Sequence, residues 1–303
     1  MAQLNLGVIT AVRNRSEHLQ ITAAALSASP HHQEHLIVDW SSAPAVRRSQ
    51  LPADPRIRLL QVESEELWWH SRAYNHAIRH STADWILRCD ADCVLQPAFF
   101  AALQLRPSTV HVAALPGGIH AETCHERFGL LAAPRSSLVA VGGYEPHLVG
   151  WGYEDTDLLE RLFLAGHAVA GLPAVGVATL EHSDHWRTGR RQRSWLPPRF
   201  ALEASHTANR LMAAWCRTHH SRTDLDDPGA RCLATLPASQ RQARERALLA
   251  GALSLVAGRH GRQLASRAPA SLVRAAVRAL ALDPLAARPS AADPPPGRSG
   301  LGR

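Results

Sequence analysis

The feature that most constrains the fold is a regular alternation of short apolar runs with helical segments over the first 90 residues. The apolar runs predict strands at residues 4–10, 35–39, 57–62 and 85–89, and helices are predicted at 16–28 and 69–80. This alternation predicts an α/β fold with a mostly parallel sheet flanked by helices. One strand ends on Asp39 and another runs directly into Asp90. Open α/β sheets bind ligands at the carboxyl ends of their strands, so we expect both acids to border a ligand.

The second half of the chain is less regular. Residues 130–133 and 175–180 are predicted strands, 155–166 and 201–216 are predicted helices, and an arginine- and alanine-rich helical region starts near residue 237. Residues 288–303 are rich in Pro, Gly and Ser, which predicts disorder. We therefore expect a domain over residues 1–216, a basic helical extension over 217–287 and a disordered tail over 288–303.

The cysteines and the apolar runs exclude several classes of protein. The five cysteines are odd in number and form no Cys-x-x-Cys pair, which argues against a disulfide scaffold or zinc ribbon and favours a reducing compartment. The N-terminus has no basic flank followed by a long apolar run, so no signal peptide is predicted. The longest apolar run, near residues 247–258, is shorter than the ~20 residues that a spanning helix needs. We expect a cytoplasmic protein.

The positive charge is concentrated at one end of the chain. Residues 238–303 contain 11 arginines and three acidic residues, a net charge of +8, whereas the whole chain carries +7. The first 237 residues therefore carry −1, and no lysine occurs anywhere. A nucleic-acid-binding function is not expected, because the charge lies in the tail and no recognition motif accompanies it.

Asp90 and Asp92 stand one residue apart after the predicted strand at 85–89. In an extended chain the two side chains would point the same way, and such close like charges repel unless a cation relieves them. Carboxylate oxygens suit Mg²⁺ or Mn²⁺, which commonly also hold substrate phosphates. A solvated turn is the alternative, and the position after a buried strand favours the metal site.

A second cluster of motifs combines glycines, aromatic residues and acids. Gly142-Gly143-Tyr144 precedes Gly150-Trp151-Gly152, and Glu154 and Asp155 follow in the first turn of a predicted helix. Glycines on both sides of a tryptophan indicate a loop that something approaches closely. The acids could simply cap the helix, where its dipole favours negative charge. The three motifs together are a stronger indication of a functional site than any one of them alone.

The order of these motifs resembles that of nucleotide-sugar glycosyltransferases with the GT-A fold, of the family 2 type. Residues 140–166 are similar to the galactosyltransferase C-terminal motif, 8–15 to the first strand with its asparagine–arginine turn, and 71–75 to the Arg-x-x-Asn region. The resemblance covers roughly residues 4–190. It implies a GT-A (Rossmann-like) domain within residues 1–216, followed by the helical extension.

The resemblance assigns roles to matching residues. In the donor site, Asp39 would contact uracil, and Thr10, Arg72, Asp90 and Asp92 would bind the rest of the donor. Asp92 and Asp90 would ligate the metal, with His182, or else His185, as a further ligand. Asp155 would be the catalytic base with Glu154 beside it, and Trp151, Gly152 and Asp157 would bind the acceptor. Two departures leave specificity open: Trp40-Ser41-Ser42 replaces the usual Asp-Gly-Ser, and Thr156 replaces an acid.

The implied activity is an inverting, metal-dependent hexosyl transfer from a nucleotide-diphosphate sugar, with Mn²⁺ or Mg²⁺ as cofactor. A UDP-sugar is the expected donor, and a hydroxyl of a glycan or glycolipid is the expected acceptor, as in bacterial polysaccharide biosynthesis. A GT-A domain that binds a nucleotide-sugar or glycan without turnover is the alternative.

The basic extension leaves two interpretations open. The predicted helix at 271–282 carries an apolar face, with Arg274 and Arg278 on another face. This apolar face could pack on the catalytic domain, or it could contact anionic lipids peripherally at the cytoplasmic face of a membrane.

Overall fold

The computed structural model describes residues 5–65, 68–113, 130–181, 198–219 and 238–279. In chain order, these residues form β1 (Leu6–Val12), α1 (Ser16–Ser27), β2 (Glu34–Trp40), a 3₁₀ turn (Arg48–Gln50), β3 (Ile57–Val62), α2 (His70–His80), β4 (Trp85–Cys89), β5 (Cys93–Leu95), α3 (Pro97–Ala102), β6 (Thr109–Ala113), β7 (Leu130–Pro134), α4 (Arg135–Ala140), α5 (Glu154–Leu164), β8 (Ala168–Leu172), β9 (Val177–Thr179), α6 (Pro198–His219), α7 (Ala238–Arg267) and α8 (Ala270–Ala279).

Seven strands form one mixed sheet in the order β3-β2-β1-β4-β7-β6-β8. Strands β1 to β4 run parallel, β7 is antiparallel to both β4 and β6, and β8 is parallel to β6. Strands β5 and β9 pair separately. The α/β fold with a mostly parallel, helix-flanked sheet is therefore confirmed. The four parallel strands bring their carboxyl ends to one edge of the sheet.

Helices cover both faces of the sheet, which is why β1 and β2 are buried along their whole length. One face packs against α2, α4 and α5, with Tyr74 and Leu158 in its core. The other packs against α1 and α3 through Leu26 and Phe99. Alternation along β4 directs Ile86 to the first face and Leu87 to the second.

The short strands of the second half were the hardest to predict. The runs predicted at 130–133 and 175–180 are strands, observed at Leu130–Pro134 and Val177–Thr179. Strands β5, β6 and β8 were not predicted. Strand β8 has the sequence AVAGL at the edge of the sheet, and small, partly exposed residues there give no apolar alternation.

The C-terminal helices pack on one another and on the domain. Val273 and Val277 of α8 are buried in a cluster with α6 and α7, so this part of the apolar face packs within the protein. Helix α7 is kinked at Gly258 (φ 51°, ψ −131°). No helix in the described ranges is long and apolar enough to cross a membrane.

Some predictions concern residues outside the described ranges. The proposed ligands His182 and His185 lie there, as does the tail at 288–303, and the helix predicted at 271–282 is described as far as Ala279. The predicted boundary between residues 216 and 217 falls inside α6. The domain division stays a prediction.

Helix α2 and the Gly-Gly-Tyr segment are joined by one side chain, that of Asn75. Its amide nitrogen donates to the Tyr144 carbonyl (2.8 Å), and its amide oxygen accepts from the Tyr144 backbone N–H (2.7 Å). Because Asn75 is buried, truncation leaves two buried backbone groups without these partners.

We expect Asn75→Ala to lower the free energy of unfolding by roughly 2 to 6 kcal/mol, because each of the two unsatisfied buried groups costs about 1–3 kcal/mol. Urea denaturation followed by circular dichroism measures this difference. Asn5→Ala is the control, since that side chain makes one long, exposed bond to Thr82 (3.5 Å). Equal losses in the two variants would contradict the anchoring role of Asn75.

Candidate active site

A buried arginine, Arg88, is the centre of the acidic cluster at the carboxyl edge of the sheet. Its side chain is only 3% exposed. The guanidinium donates to Asp90 (Nη2–Oδ1 2.9 Å, Nη2–Oδ2 3.0 Å), forms an ion pair with Asp155, and donates to His70 Nε2 (2.8 Å). Strand β4, helix α2 and helix α5 therefore meet at one cation.

Two tyrosines complete the surroundings of this arginine. The guanidinium carbon lies 4.7 Å from the ring centre of Tyr74 and 5.7 Å from that of Tyr144, both within the range of cation–π attraction. The Tyr74 hydroxyl donates to Asp90 Oδ1 (2.5 Å). Asp90 is thus held from two sides.

Asp90 and Asp92 lie in a turn rather than in an extended segment, because the Cys93 amide donates to the Asp90 carbonyl (2.9 Å). Asp92 Oδ2 accepts from Arg15 Nη1 (2.8 Å), so each carboxylate faces a different arginine. Burial raises the pKa of Asp90, and the nearby charges of Asp92 and Asp155 raise it further, against the lowering by Arg88. Clustered carboxylate oxygens that disfavour one another's ionisation fit a hard divalent cation.

The adjacent acids Glu154 and Asp155 have different protonation states. Burial raises the pKa of Glu154 to about 8, with a further contribution from the Asp155 charge. Burial also opposes ionisation of Asp155, but Arg88 reverses this effect, so its pKa lies below the ordinary value. Asp155 is therefore ionised at neutral pH, while Glu154 is mostly protonated. Such a division is typical of paired catalytic acids.

His70 binds the arginine and lies near Glu154 without a hydrogen bond to it. Because arginine can only donate, His70 Nε2 must accept, and a neutral ring then carries its proton on Nδ1. Burial and the Arg88 charge lower the pKa of His70 to about 3, which keeps the ring neutral. Nδ1 lies 4.0 Å from Glu154 Oε1.

Helix α6 holds the Gly-Trp-Gly loop in place. Ser205 Oγ accepts from the Trp151 amide (3.0 Å), and Asn209 donates to the Gly152 carbonyl (2.8 Å). Gly152 has φ 98°, and a Cβ there would meet the His206 ring at 2.8 Å. Only glycine satisfies both the positive φ and the close approach of α6.

Two proposed donor residues lie at the end of β2 and on α2. Asp39 is buried, and its two oxygens accept from the amides of Ser42 (3.1 Å) and Val46 (2.8 Å), so it shapes the loop after β2. The Arg72 guanidinium carbon lies 4.5 Å from the ring centre of Trp69, and Nη1 lies 3.1 Å from Glu65 Oε1.

The structure does not bring all proposed site residues together. It groups Asp90, Asp155 and Glu154 around Arg88, with Asp92 alongside. Thr10 lies on β1 next to Ile9, which pairs with Arg88, but its side chain is buried with the hydroxyl 3.1 Å from His35 Nε2. Asp157 is fully buried, and its carboxylate pairs with Arg161 (2.8 Å) and Arg217 (3.0 Å), which favours an anchoring contact for α5 over acceptor contact.

Several residues of the site were missed from the sequence. Arg88 had a usable signal: a charged residue inside an apolar strand needs a buried partner. The residues Tyr74, His70, Ser205 and Asn209 carried no distinctive spacing.

The sequence matches two family models in succession. Residues 7–106 match the model described as glycosyl transferase family 2. Residues 110–185 match the model described as the N-terminal domain of galactosyltransferase. The two matches follow the order of the motifs described above.

Solved structures of glycosyltransferases share this architecture. A mannosyltransferase from Pyrobaculum calidifontis, in complex with GDP-Man and Mn²⁺, has a TM-score of 0.51 at 18% identity, covering 93% of this chain and 81% of its own. GalNAc-T7 with UDP, GalNAc and Mn²⁺ has a TM-score of 0.52 at 13% identity, covering 81% of this chain and 55% of its own. These likenesses confirm the GT-A fold.

The raised pKa of Glu154 predicts a specific dependence of stability on pH. The folded protein keeps a proton on Glu154 that the unfolded chain releases between about pH 4.5 and 8, so stability falls as pH rises through this window. Glutamine does not ionise. We therefore expect Glu154→Gln to match wild type near pH 4.5 and to be more stable at pH 8 by roughly 1–3 kcal/mol.

Urea denaturation in EDTA at a series of pH values measures this effect without bound cations. Glu203→Gln on the exposed side of α6 controls for the loss of a surface carboxylate. Parallel stability curves for wild type and Glu154→Gln would show that Glu154 is ionised in the folded protein.

Proposed function

We propose that this chain, which matches the glycosyl transferase family 2 model over residues 7–106 and the galactosyltransferase model over residues 110–185, transfers a sugar with inversion from a UDP-sugar to a hydroxyl of a glycan or glycolipid. One observation carries the proposal. The buried Arg88 forms ion pairs with both Asp155 and Asp90 at the sheet edge, and Asp92 follows Asp90 in the same turn.

Asp155 is the proposed general base. It accepts the proton of the acceptor hydroxyl as that oxygen attacks the anomeric carbon of the donor sugar. Its carboxylate is 22% exposed, so a hydroxyl can reach it, whereas Glu154 is buried and mostly protonated. Because Glu154 is mostly protonated at neutral pH, it does not place a second negative charge next to the base.

Arginines flank the proposed donor site. Arg15 lies beside Asp92, and Arg72 stacks on Trp69 behind the end of β2. Asp90 and Asp92 would hold a divalent cation, Mn²⁺ or Mg²⁺, which supplies positive charge for the departing diphosphate. Asp39 positions the loop beside the expected base-binding region. The resemblance favours a UDP-sugar as the donor. GDP-sugars are tested as well, because a mannosyltransferase of similar structure was solved in complex with GDP-Man.

Trp151 is the proposed platform for the acceptor sugar. It is partly exposed, and Ser205 on α6 fixes its backbone. A sugar stacked on an immobilised ring pays less orientational entropy in the transition state. With the base opposite the leaving group, attack by the acceptor inverts the anomeric centre, and no covalent enzyme intermediate is needed.

The test is a nucleotide-sugar panel, with Mn²⁺, with Mg²⁺ and with EDTA, in which released nucleoside diphosphate is measured. Release needs no known acceptor, because water replaces it. We expect release with one UDP-sugar in Mn²⁺ and its loss in EDTA. General-base assistance contributes ~10² to 10⁴-fold, so Asp155→Asn should reduce release at least 10²-fold while UDP binding stays within about threefold. Asp92→Ala should abolish metal-dependent UDP binding by calorimetry.

Asp84→Asn and Asp84→Ala are the matched controls, because Asp84 is an exposed acid at the opposite end of β4. Asp155→Asn with wild-type release would move the base to another group. UDP affinity unchanged by EDTA would exclude the metal-dependent donor site.

We also propose that the enzyme lies in the cytoplasm and contacts an anionic membrane peripherally through its C-terminal helices, as an enzyme of polysaccharide biosynthesis with a lipid-linked acceptor would. The cysteines Cys89, Cys93 and Cys216 are free thiols, as in a reducing compartment. Val256 (76% exposed), Leu264 (63%) and Leu272 (58%) are exposed on α7 and α8. Neighbouring arginines each add roughly 1 kcal/mol of attraction to anionic lipid.

Co-sedimentation with vesicles tests this contact. We expect full-length protein to bind anionic but not neutral vesicles, with binding weakened by salt and by the double change Val256→Glu and Leu272→Glu. Ile21→Glu is the control, because Ile21 is an exposed apolar residue of α1 and not of the C-terminal helices. Protein that stays in the supernatant with anionic vesicles at low salt would rule the contact out.

A further inference from the structure

Three side chains of the kinds that bind transition metals converge outside the site described above. They are Glu145, His147 and Cys216, and one ligand atom of each lies within 4.8 Å of the others. Glu145 and Cys216 are each 1% exposed, and the His147 side chain is 13% exposed. The cluster is therefore almost closed to solvent.

The cluster lies where the loop between α4 and α5 meets α6. Glu145 and His147 belong to that loop, and Cys216 belongs to the last turns of α6. The adjacent Leu148 packs against Met212 of α6 in the same cluster as Cys216. Residues far apart in the sequence are thus held together by packing that does not require a metal.

Glu145 and His147 are already oriented toward each other. Glu145 Oε1 accepts from the His147 backbone amide (3.0 Å) and lies 2.6 Å from His147 Nδ1. The 2.6 Å contact is a hydrogen bond, about 0.6 Å shorter than the roughly 3.2 Å between two ligands of one tetrahedral zinc ion, so zinc would take the place of the shared proton and separate the two atoms slightly. The widest separation in the cluster exceeds a typical ligand–ligand distance by about 1 Å, which side-chain rotation can remove.

We propose that Glu145, His147 and Cys216 form a Zn²⁺ site with three protein ligands that ties the loop before the Gly-Trp-Gly segment to helix α6. A thiolate and an imidazole select zinc over the Mn²⁺ or Mg²⁺ that carboxylates prefer. A carboxylate and a thiolate also balance the two charges of the ion. This matters because Arg244 of α7 reaches the His147 carbonyl (3.5 Å), and an excess positive charge beside it would be costly. Water would take the fourth position.

The proposal is independent of the proposed donor, acceptor and base. It predicts a second metal site whose chemistry differs from that of Asp90 and Asp92, because only this one contains sulfur. Binding releases the thiol proton of Cys216, since the thiolate is the ligand.

Cobalt substitution distinguishes the two sites. Full-length, tag-free protein is stripped with chelator, kept reduced with a phosphine and titrated with Co²⁺. We expect a stoichiometric near-ultraviolet charge-transfer band from thiolate to cobalt, displaced by Zn²⁺, and zinc in the protein purified without chelator. Cys216→Ser and His147→Ala should remove the band, while Asp92→Ala should retain it.

Cys89→Ser is the matched control, because Cys89 is a buried thiol whose Sγ lies near the Cys93 carbonyl (3.2 Å), far from α6 in the sequence. Cys93→Ser, Cys124→Ser and Cys232→Ser extend it to the other cysteines. Circular dichroism establishes that each variant is folded. If Cys216→Ser does not fold, Glu145→Gln serves instead, because it keeps the size of the side chain. Absence of the band in wild type, or its persistence in folded Cys216→Ser, would overturn the site.

Discussion

The burial of one guanidinium, that of Arg88, determines the geometry of the acidic cluster at the carboxyl edge of the sheet (the acidic edge). A charge that is nine-tenths or more removed from water is tolerated only when partners surround it, and Arg88 has carboxylates on two sides, a histidine and two aromatic rings. These partners come from β4, α2, α5 and the Gly-Gly-Tyr segment. Removing one partner of such a buried pair typically costs about 3–5 kcal/mol, so the elements that carry the partners cannot shift independently.

The same cation gives the neighbouring acids Asp155 and Glu154 different pKa values. Asp155 is adjacent to Arg88 and ionises easily, whereas Glu154, one residue earlier, turns toward His70, whose buried ring stays neutral. A helix N-terminus normally favours negative charge on every acid in its first turn. Here desolvation outweighs the helix dipole for Glu154, because that side chain is buried and a second anion would lie beside Asp155.

The parts predictable from the sequence were those with local signals. The parallel strands β1 to β4 are continuous apolar runs separated by helices, and their chain order already places Asp39 and Asp90 at one edge. Strand β8 pairs with β6 across a long separation and carries small residues, so no local pattern marks it. Strand β6 (TVHVA) does alternate Val with polar residues, and this signal was missed. The surroundings of Arg88 are also nonlocal: partners 18 and 67 residues away along the chain are set by packing alone.

The close contact of α6 with the loop around Trp151 bears on how the specificity of such an enzyme can change. Ser205, His206 and Asn209 sit more than 50 residues downstream of the loop that they shape. Changes on this one helix can therefore tilt the tryptophan ring without touching any carboxylate of the acidic edge. With Trp151 in its proposed role as the acceptor platform, altering which sugar is glycosylated and preserving the chemistry of transfer become separable tasks, for natural drift and for directed evolution alike.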